Sequence, residues 1–144
     1  MANLRARRQA AMPVRNSAAG SGFGTAHWPV EIRLEKAERR LEVDFDDGSR
    51  FVYPAEFLRV ESPSAEVQGH GPGQKVLVAG RRDVGILDLE PVGNYAVRIR
   101  FDDLHDTGIY SWAYLYEIGR DRERLWANYL AAINAAGKSR DPRS

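Results

Sequence analysis

The residues best suited to chemistry in this sequence are three histidines, His27, His70 and His105, because the chain has no cysteine. His70 and His105 together with Asp103 or Asp106 would make two histidines and one carboxylate, a ligand set suited to ferrous iron. This candidate metal site, with Asp106 as its carboxylate, would hold iron or zinc; no other cofactor is expected. An acid beside a histidine often only fixes the ring, so a structural role stays open.

The remaining motifs do not predict catalysis. The glycine-rich loop at residues 69–73 matches neither the dinucleotide fingerprint nor the spacing of a P-loop, and Gly137-Lys138-Ser139 follows a helical pattern where a P-loop requires a strand. The acidic pairs at residues 46–47 and 102–103 lie in turns, where solvated acids are common. Since Gly-x-Ser-x-Gly is also absent, we predict no catalytic residue and no enzyme activity.

Composition indicates one small globular domain. The 144 residues are 43% hydrophobic and 28% charged, enough for one modest core. The lack of cysteine fits a reducing compartment, and the N-terminus shows no apolar secretory stretch, so the prediction is a cytoplasmic protein. No apolar run approaches the roughly 18 residues of a membrane-spanning helix, so we predict no membrane association.

Charge is distributed unevenly along the chain. Residues 1–29 hold four arginines and no acid, whereas the remainder holds 17 basic and 20 acidic residues. Nucleic-acid binding requires basic residues clustered on one face, so no nucleic-acid partner is predicted. Residues 1–27 have few large apolar side chains and are predicted to be a disordered basic tail.

Apolar alternation with a period of two predicts two antiparallel meanders. The first has three strands, and its Asp47-Gly48 step favours a tight hairpin turn. The second runs through a turn at residues 91–94 into a strictly alternating strand. The apolar positions are Ile32, Leu34, Leu41, Val43, Phe45, Phe51 and Tyr53 in the first meander, and Ile86, Leu87, Leu89, Tyr95, Val97, Ile99 and Phe101 in the second.

Helices are predicted after each meander. Pro54 starts a short helix over residues 55–59, which should stop before Ser62-Pro63. Ser111 can cap a helix that Gly119 closes or kinks. Gly137 terminates a last amphipathic helix that packs on the sheet or on another protein; its apolar positions are Leu125, Trp126, Tyr129, Leu130 and Ile133. The fold class is therefore α+β, a small mainly antiparallel sheet of two meanders packed against C-terminal helices.

Four phrases carry a resemblance to a known family: LRVESPSAEV at residues 58–67, GHGPGQ at 69–74, EPVGNY at 90–95 and DTGIYSW at 106–112. Together they resemble the stand-alone bacterial domains related to the N-terminal domain of gamma-butyrobetaine hydroxylase and trimethyllysine hydroxylase. The resemblance implies a domain over residues 28–119. Apart from it, the apolar spacing predicts the amphipathic helix at 120–137, and residues 138–144 are predicted to be a disordered tail. The iron-binding residues of the hydroxylases lie in a second domain, so their oxygenase activity is not implied here.

The resemblance also implies where a zinc site would lie. The hydroxylases hold a structural zinc with a Cys-Pro-Cys-x-x-Cys run and a later histidine, a closed tetrahedral site. This chain has Ser62, Ser64 and Val67 at the cysteine positions and His105 at the histidine position. Serine hydroxyls bind zinc poorly and valine not at all, so these three residues are not expected to bind metal.

The sequence thus favours a non-catalytic binding or accessory module with an unidentified protein partner. Similar domains are fused to P-loop iron-sulfur carriers, so the resemblance also suggests a role near iron or iron-sulfur maturation. The alternative is a metal-binding protein that uses His70, His105 and a nearby aspartate. The oligomeric state is not indicated.

Overall fold

The computed structural model describes residues 2–6, 11–14, 26–69 and 73–142, and its α+β architecture confirms the predicted fold class. Its strands are β1 (Ala2–Ala6), β2 (Ala11–Val14), β3 (Pro29–Glu35), β4 (Arg40–Phe45), β5 (Arg50–Pro54), β6 (Ile86–Val92), β7 (Ala96–Phe101) and β8 (Ile109–Ser111). Its helices are α1 (Ala55–Val60), α2 (Ala65–Gln68), α3 (Trp112–Arg120) and α4 (Arg122–Ala135). Within these described ranges, no helix is long and apolar enough to cross a membrane.

Strands β3, β4 and β5 form the first antiparallel meander, in which Val43 pairs with Ile32 on one side and Phe51 on the other. Gly48, with φ at 89°, forms the predicted hairpin turn. Strand β1 runs parallel to β3 and antiparallel to β2, so the described parts of the segment predicted to be a disordered tail include two strands. Residues 1, 7–10 and 15–25 lie outside the described residues.

Strands β6, β7 and β8 form the second antiparallel sheet. The predicted alternation in β7 is confirmed for Val97, Ile99 and Phe101, all buried. Tyr95 lies in the turn before this strand instead of inside it. Strand β8 was not predicted, because three residues are too few for a period to emerge.

Helices α1 and α3 both contact β5, and α3 also contacts β8, so α3 links the two sheets. Helix α1 begins after Pro54 and ends before Ser62-Pro63, as predicted. The Ser111 hydroxyl caps α3 by accepting a 3.1 Å hydrogen bond from the backbone N–H of Tyr114. Gly119 does not end α3, which continues to Arg120.

Helix α4 buries less of its surface than its apolar pattern predicted. Tyr129 and Ile133 are buried, whereas Leu130 is 39% exposed. Beyond the helix, the Ser139 and Arg140 carbonyls accept hydrogen bonds of 2.9 Å from the backbone N–H groups of Gly80 and Arg82, respectively. Residues 138–142 of the segment predicted to be a disordered tail therefore lie against residues 80–82.

Candidate functional site

A buried polar cluster forms where the segment after α1 meets the turn after β7. This serine-histidine cluster consists of Ser62, Ser64 and His105, which are 0%, 7% and 7% exposed. The Nε2 atom of His105 lies 2.9 Å from the Ser62 Oγ and 3.4 Å from the Ser64 Oγ, and the two hydroxyl oxygens are 3.3 Å apart. The three polar side chains thus satisfy one another inside the domain, as buried polar groups must.

A tight turn after β7 positions His105. The Phe101 carbonyl accepts a 3.1 Å hydrogen bond from the Leu104 N–H, and the Phe101 N–H donates to the His105 carbonyl at 2.9 Å. The Asp103 carboxylate accepts from the His105 N–H at 3.1 Å. These bonds hold Leu104 at a φ of 73°, a left-handed conformation that leucine rarely adopts.

Short-range contacts position the two serines. The Ser62 carbonyl accepts from the Gln68 side chain at 2.8 Å, and the Ser64 carbonyl accepts from the Val67 N–H at 3.1 Å. A Cβ atom on Gly108 would lie 2.5 Å from the Ser62 Oγ, so only glycine leaves room for that hydroxyl. Val67 is itself 2% exposed, which completes an almost solvent-free enclosure.

Arginine charges lie next to the cluster. The Asp103 Oδ2 atom accepts from Arg59 Nε at 2.8 Å and from Arg81 Nε at 2.7 Å. Burial is the largest single influence on Asp103 and opposes its ionisation. The hydrogen bonds from Arg59 and from the His105 N–H, together with the Arg59 and Arg81 charges, outweigh it, so the pKa of Asp103 is lowered. Burial, and secondly the Arg59 charge, lower the pKa of His105 although nearby acids including Glu66 oppose this. His105 is therefore a neutral hydrogen-bonding residue at neutral pH.

The cluster resembles a Ser-His-acid arrangement in outline but lacks two requirements of a nucleophilic site. The His105 Nδ1 atom is 3.9 Å from the Glu66 carboxylate, too far for a hydrogen bond to orient the ring. Ser62 has no exposed surface on which a substrate carbonyl could approach its hydroxyl. The arrangement supports folding, not acyl transfer.

The same cluster occupies the positions that the zinc resemblance implies. The structure brings Ser62, Ser64 and His105 into contact and buries Val67 beside them. Two neutral hydroxyls, one alkyl group and one imidazole are a poor donor set for zinc, which requires thiolate, imidazole or carboxylate ligands. The residues present therefore do not fit that metal; hydrogen bonds link the two serines and the histidine instead, and Val67 packs beside them.

The other metal hypothesis involves a residue that is not described. His70 lies in residues 70–72, outside the described part of the chain, and Asp106 is exposed. Among the residues that are described, no group of three His, Cys, Asp or Glu side chains is placed to hold a metal ion. A site made of His70, His105 and Asp106 stays a prediction.

The acidic pairs have more specific contacts than solvated turn acids would have. Asp103 lies between two arginines, and Asp47 accepts from the Tyr116 hydroxyl at 2.5 Å and from the Ser49 N–H at 2.9 Å. His27 stacks on Tyr116 with ring centroids 3.7 Å apart. These contacts hold the turns after β4 and β7 and the segment that precedes β3.

An apolar groove, which motif analysis missed, lies between residues 75–78 and α4. Its volume is about 310 Å³, and Leu125, Tyr129 and Ala132 line its helical side. Lys75 and Glu61 line one part and pair with each other at 2.7 Å, so their charges are largely satisfied internally. The run of Val76, Leu77 and Val78 was the available sequence signal, but it has neither helical nor strand periodicity.

We expect acid to destabilise the protein through His105. The pKa of His105 is lowered in the folded protein, so the unfolded chain binds more protons at acid pH. The contribution of His105 to stability is fully present above the unfolded pKa of about 6.5. This contribution is lost as the pH falls through the lowered folded pKa. His105→Gln, which cannot titrate, should lose less stability between pH 8 and pH 5. Urea unfolding of both proteins across this range measures the difference; equal slopes would contradict the prediction.

Comparisons with known proteins agree with this architecture. Residues 32–116 match the model of the family described as gamma-butyrobetaine hydroxylase-like, N-terminal. Two proteins with NMR solution structures are 48% and 46% identical, each with a TM-score of 0.71; the matches cover 82% and 85% of this chain and 93% and 91% of theirs.

A crystal structure from Acidithiobacillus ferrooxidans is 38% identical with a TM-score of 0.53; the match covers 63% of this chain and 91% of that one. It is described as a protein of unknown function in the DUF971 family. A search of curated proteins found no match. The family match spans more than half of the 144 residues and includes the whole serine-histidine cluster. The chain belongs to the gamma-butyrobetaine hydroxylase-like N-terminal domain family.

Proposed function

We propose that this domain is a non-catalytic binding module that holds a segment of a partner protein in the groove between residues 75–78 and α4. The groove itself carries this proposal. It is open and lined mainly by apolar side chains, features typical of surfaces that bind other molecules. The buried serine-histidine cluster offers no reactive group at the surface, which supports binding over catalysis.

A protein segment suits the groove better than a charged metabolite. The charged groups of Lys75 and Glu61 engage each other at 2.7 Å and are not free to orient a charged ligand. Leu125, Tyr129 and Ala132 present an apolar helical surface on which partner side chains would pack. The proposed occupant is therefore an uncharged, apolar segment.

A peptide-display selection on the whole chain tests this proposal. Ala132 is exposed and lines the groove, so Ala132→Trp should fill it without disturbing the core. Ala131 is also exposed on α4 but does not line the groove, which makes Ala131→Trp the matched control. We expect selected apolar peptides to bind the wild type and Ala131→Trp with equal affinity. Their affinity for Ala132→Trp should be at least tenfold weaker. Equal affinity for all three proteins would refute the groove as the binding site.

The link to iron-sulfur maturation rests on the resemblance to domains fused to iron-sulfur carriers. We therefore propose a P-loop iron-sulfur carrier as the first whole-protein partner to test in the same comparison. Purified carrier should bind the wild type and Ala131→Trp equally, and Ala132→Trp more weakly. If no binding is found, the carrier is not the partner, while the peptide result still decides the groove.

A further inference from the structure

Arg140 lies in a slot made by residues far from it in sequence. Its guanidinium donates through Nε and Nη2 to the two carboxylate oxygens of Glu56, at 2.8 and 2.7 Å. The same guanidinium lies over the Trp126 ring, 5.1 Å from its centroid. Phe57 packs edge-on against this Trp126 at 6.3 Å and fixes the wall of the slot. A carboxylate and an aromatic face together recognise a planar cation.

The slot is specific for arginine because of its geometry. The Glu56 side chain is only 7% exposed, and both of its oxygens face the planar guanidinium fork. A lysine ammonium is a compact point charge and cannot make this two-bond arrangement. A cavity of about 220 Å³ remains beside the guanidinium, bounded by Pro54 and Arg122 among others, so the slot has free volume next to the arginine.

The backbone around Arg140 is also held by hydrogen bonds to a distant segment. The Ser139 and Arg140 carbonyls accept from the N–H groups of Gly80 and Arg82, each at 2.9 Å. Arg82 also donates to the Asp141 carboxylate at 2.5 Å. Residues 139–141 are thus held by backbone and side-chain hydrogen bonds, and their central arginine enters a slot, as in peptide recognition that combines main-chain contacts with a side-chain pocket.

We propose that this slot is an arginine-binding site, filled in cis by Arg140, which takes an arginine from a segment of a partner protein when the C-terminal segment is displaced. The bound C-terminal segment itself shows the chemistry of the occupant: a guanidinium and backbone carbonyls that accept hydrogen bonds. Glu56 provides the specificity and Trp126 the stacking surface. This site is separate from the groove, so either proposal can fail without the other.

Chemical complementation tests the slot in the whole chain. Arg140→Ala removes the guanidinium from it, and a free peptide with the sequence of residues 137–144 should then bind and change the tryptophan fluorescence of the protein, because Trp126 lines the slot. The wild type should bind the peptide at least tenfold more weakly, because its own Arg140 competes. Replacing the arginine of the peptide that corresponds to Arg140 with lysine should weaken binding at least tenfold. Lys138→Ala, at an exposed position in the same segment, is the control and should behave as the wild type.

Three results would overturn the proposal. A folded Arg140→Ala protein that does not bind the peptide excludes an exchangeable site. Arginine recognition is excluded if Arg140→Ala binds a peptide with alanine at the position of Arg140 as tightly as it binds the original peptide. It is also excluded if adding Glu56→Gln to Arg140→Ala does not weaken peptide binding. If the wild type forms a concentration-dependent dimer and Arg140→Ala abolishes it, the occupant is a second copy of this chain and not a partner protein. If Arg140→Ala unfolds, Arg140→Lys retains the charge and allows the same comparison. The expected ratio of peptide affinities between the variant and the wild type is then smaller.

Discussion

Replacing Ser62, Ser64 and Val67 with cysteine should create a stoichiometric zinc site with His105. In a tetrahedral site with Zn–S near 2.3 Å and Zn–N near 2.05 Å, sulfur and nitrogen ligands lie about 3.5 Å apart. The two Ser Oγ atoms already lie 2.9 and 3.4 Å from His105 Nε2, so the ring nitrogen needs little reorientation. Zinc at a hundred times its Kd would stabilise the triple variant by about 2.7 kcal/mol.

Elemental analysis of the purified triple variant measures zinc per chain, and thermal unfolding with and without a chelator measures the stabilisation. Adding His105→Ala to the triple variant should remove most of the bound zinc, because the fourth ligand is lost. Ser62→Cys with Ser64→Cys alone, which leaves Val67 in place, should bind zinc more weakly. A triple variant that folds but carries no zinc would mean that the backbone no longer has the geometry of the metal site.

Gly119→Ala should destabilise the protein by about 2 kcal/mol, although alanine is intrinsically better in a helix by about 1 kcal/mol. A Cβ atom at this position would lie 2.6 and 2.7 Å from two ring carbons of Phe51 and 2.8 Å from the Tyr53 hydroxyl. Tyr53 is fully buried and donates to the Leu115 carbonyl at 2.6 Å, so it cannot move without losing that bond. Overpacking of this kind costs about 1–3 kcal/mol, and an unmade buried hydrogen bond adds about 1–3 kcal/mol.

Urea unfolding of Gly119→Ala against the wild type measures this loss. Ala113 lies exposed on the same helix, so Ala113→Gly isolates the propensity effect and should cost about 1 kcal/mol. The two substitutions change glycine content in opposite directions, yet both should destabilise. A Gly119→Ala protein more stable than the wild type would show that α3 can move away from β5.

Much of the fold was predictable from local signals. Strict alternation identified β7, the Asp47-Gly48 step identified the first hairpin, and Ser111 marked the start of α3, because each signal acts over a few neighbouring residues. Leu130 was predicted to lie on the apolar face of the last helix because its spacing fits that face. Its exposure depends on which residues pack against α4, and a local sequence pattern does not contain that information.

The candidate sites were predictable to different degrees. The contact of His105 with Ser62 and Ser64 followed from the family resemblance. Composition and spacing alone could not predict it, because the two serines lie 43 and 41 positions before the histidine. The contact of Glu56 with Arg140, 84 positions apart, had no sequence signal, since basic residues in a polar terminal segment are typical of a disordered tail.

The order of the strands also bears on how fast this chain can fold. Within each meander, neighbouring strands are neighbours in sequence: β3 pairs with β4 and β4 with β5, then β6 with β7 and β7 with β8. Contacts between nearby residues close small loops, and proteins rich in such contacts fold quickly because little chain entropy is lost before the first pairing forms. During synthesis, every strand of the first meander leaves the ribosome before any strand of the second, so its hairpins can pair while the rest of the domain is still being made.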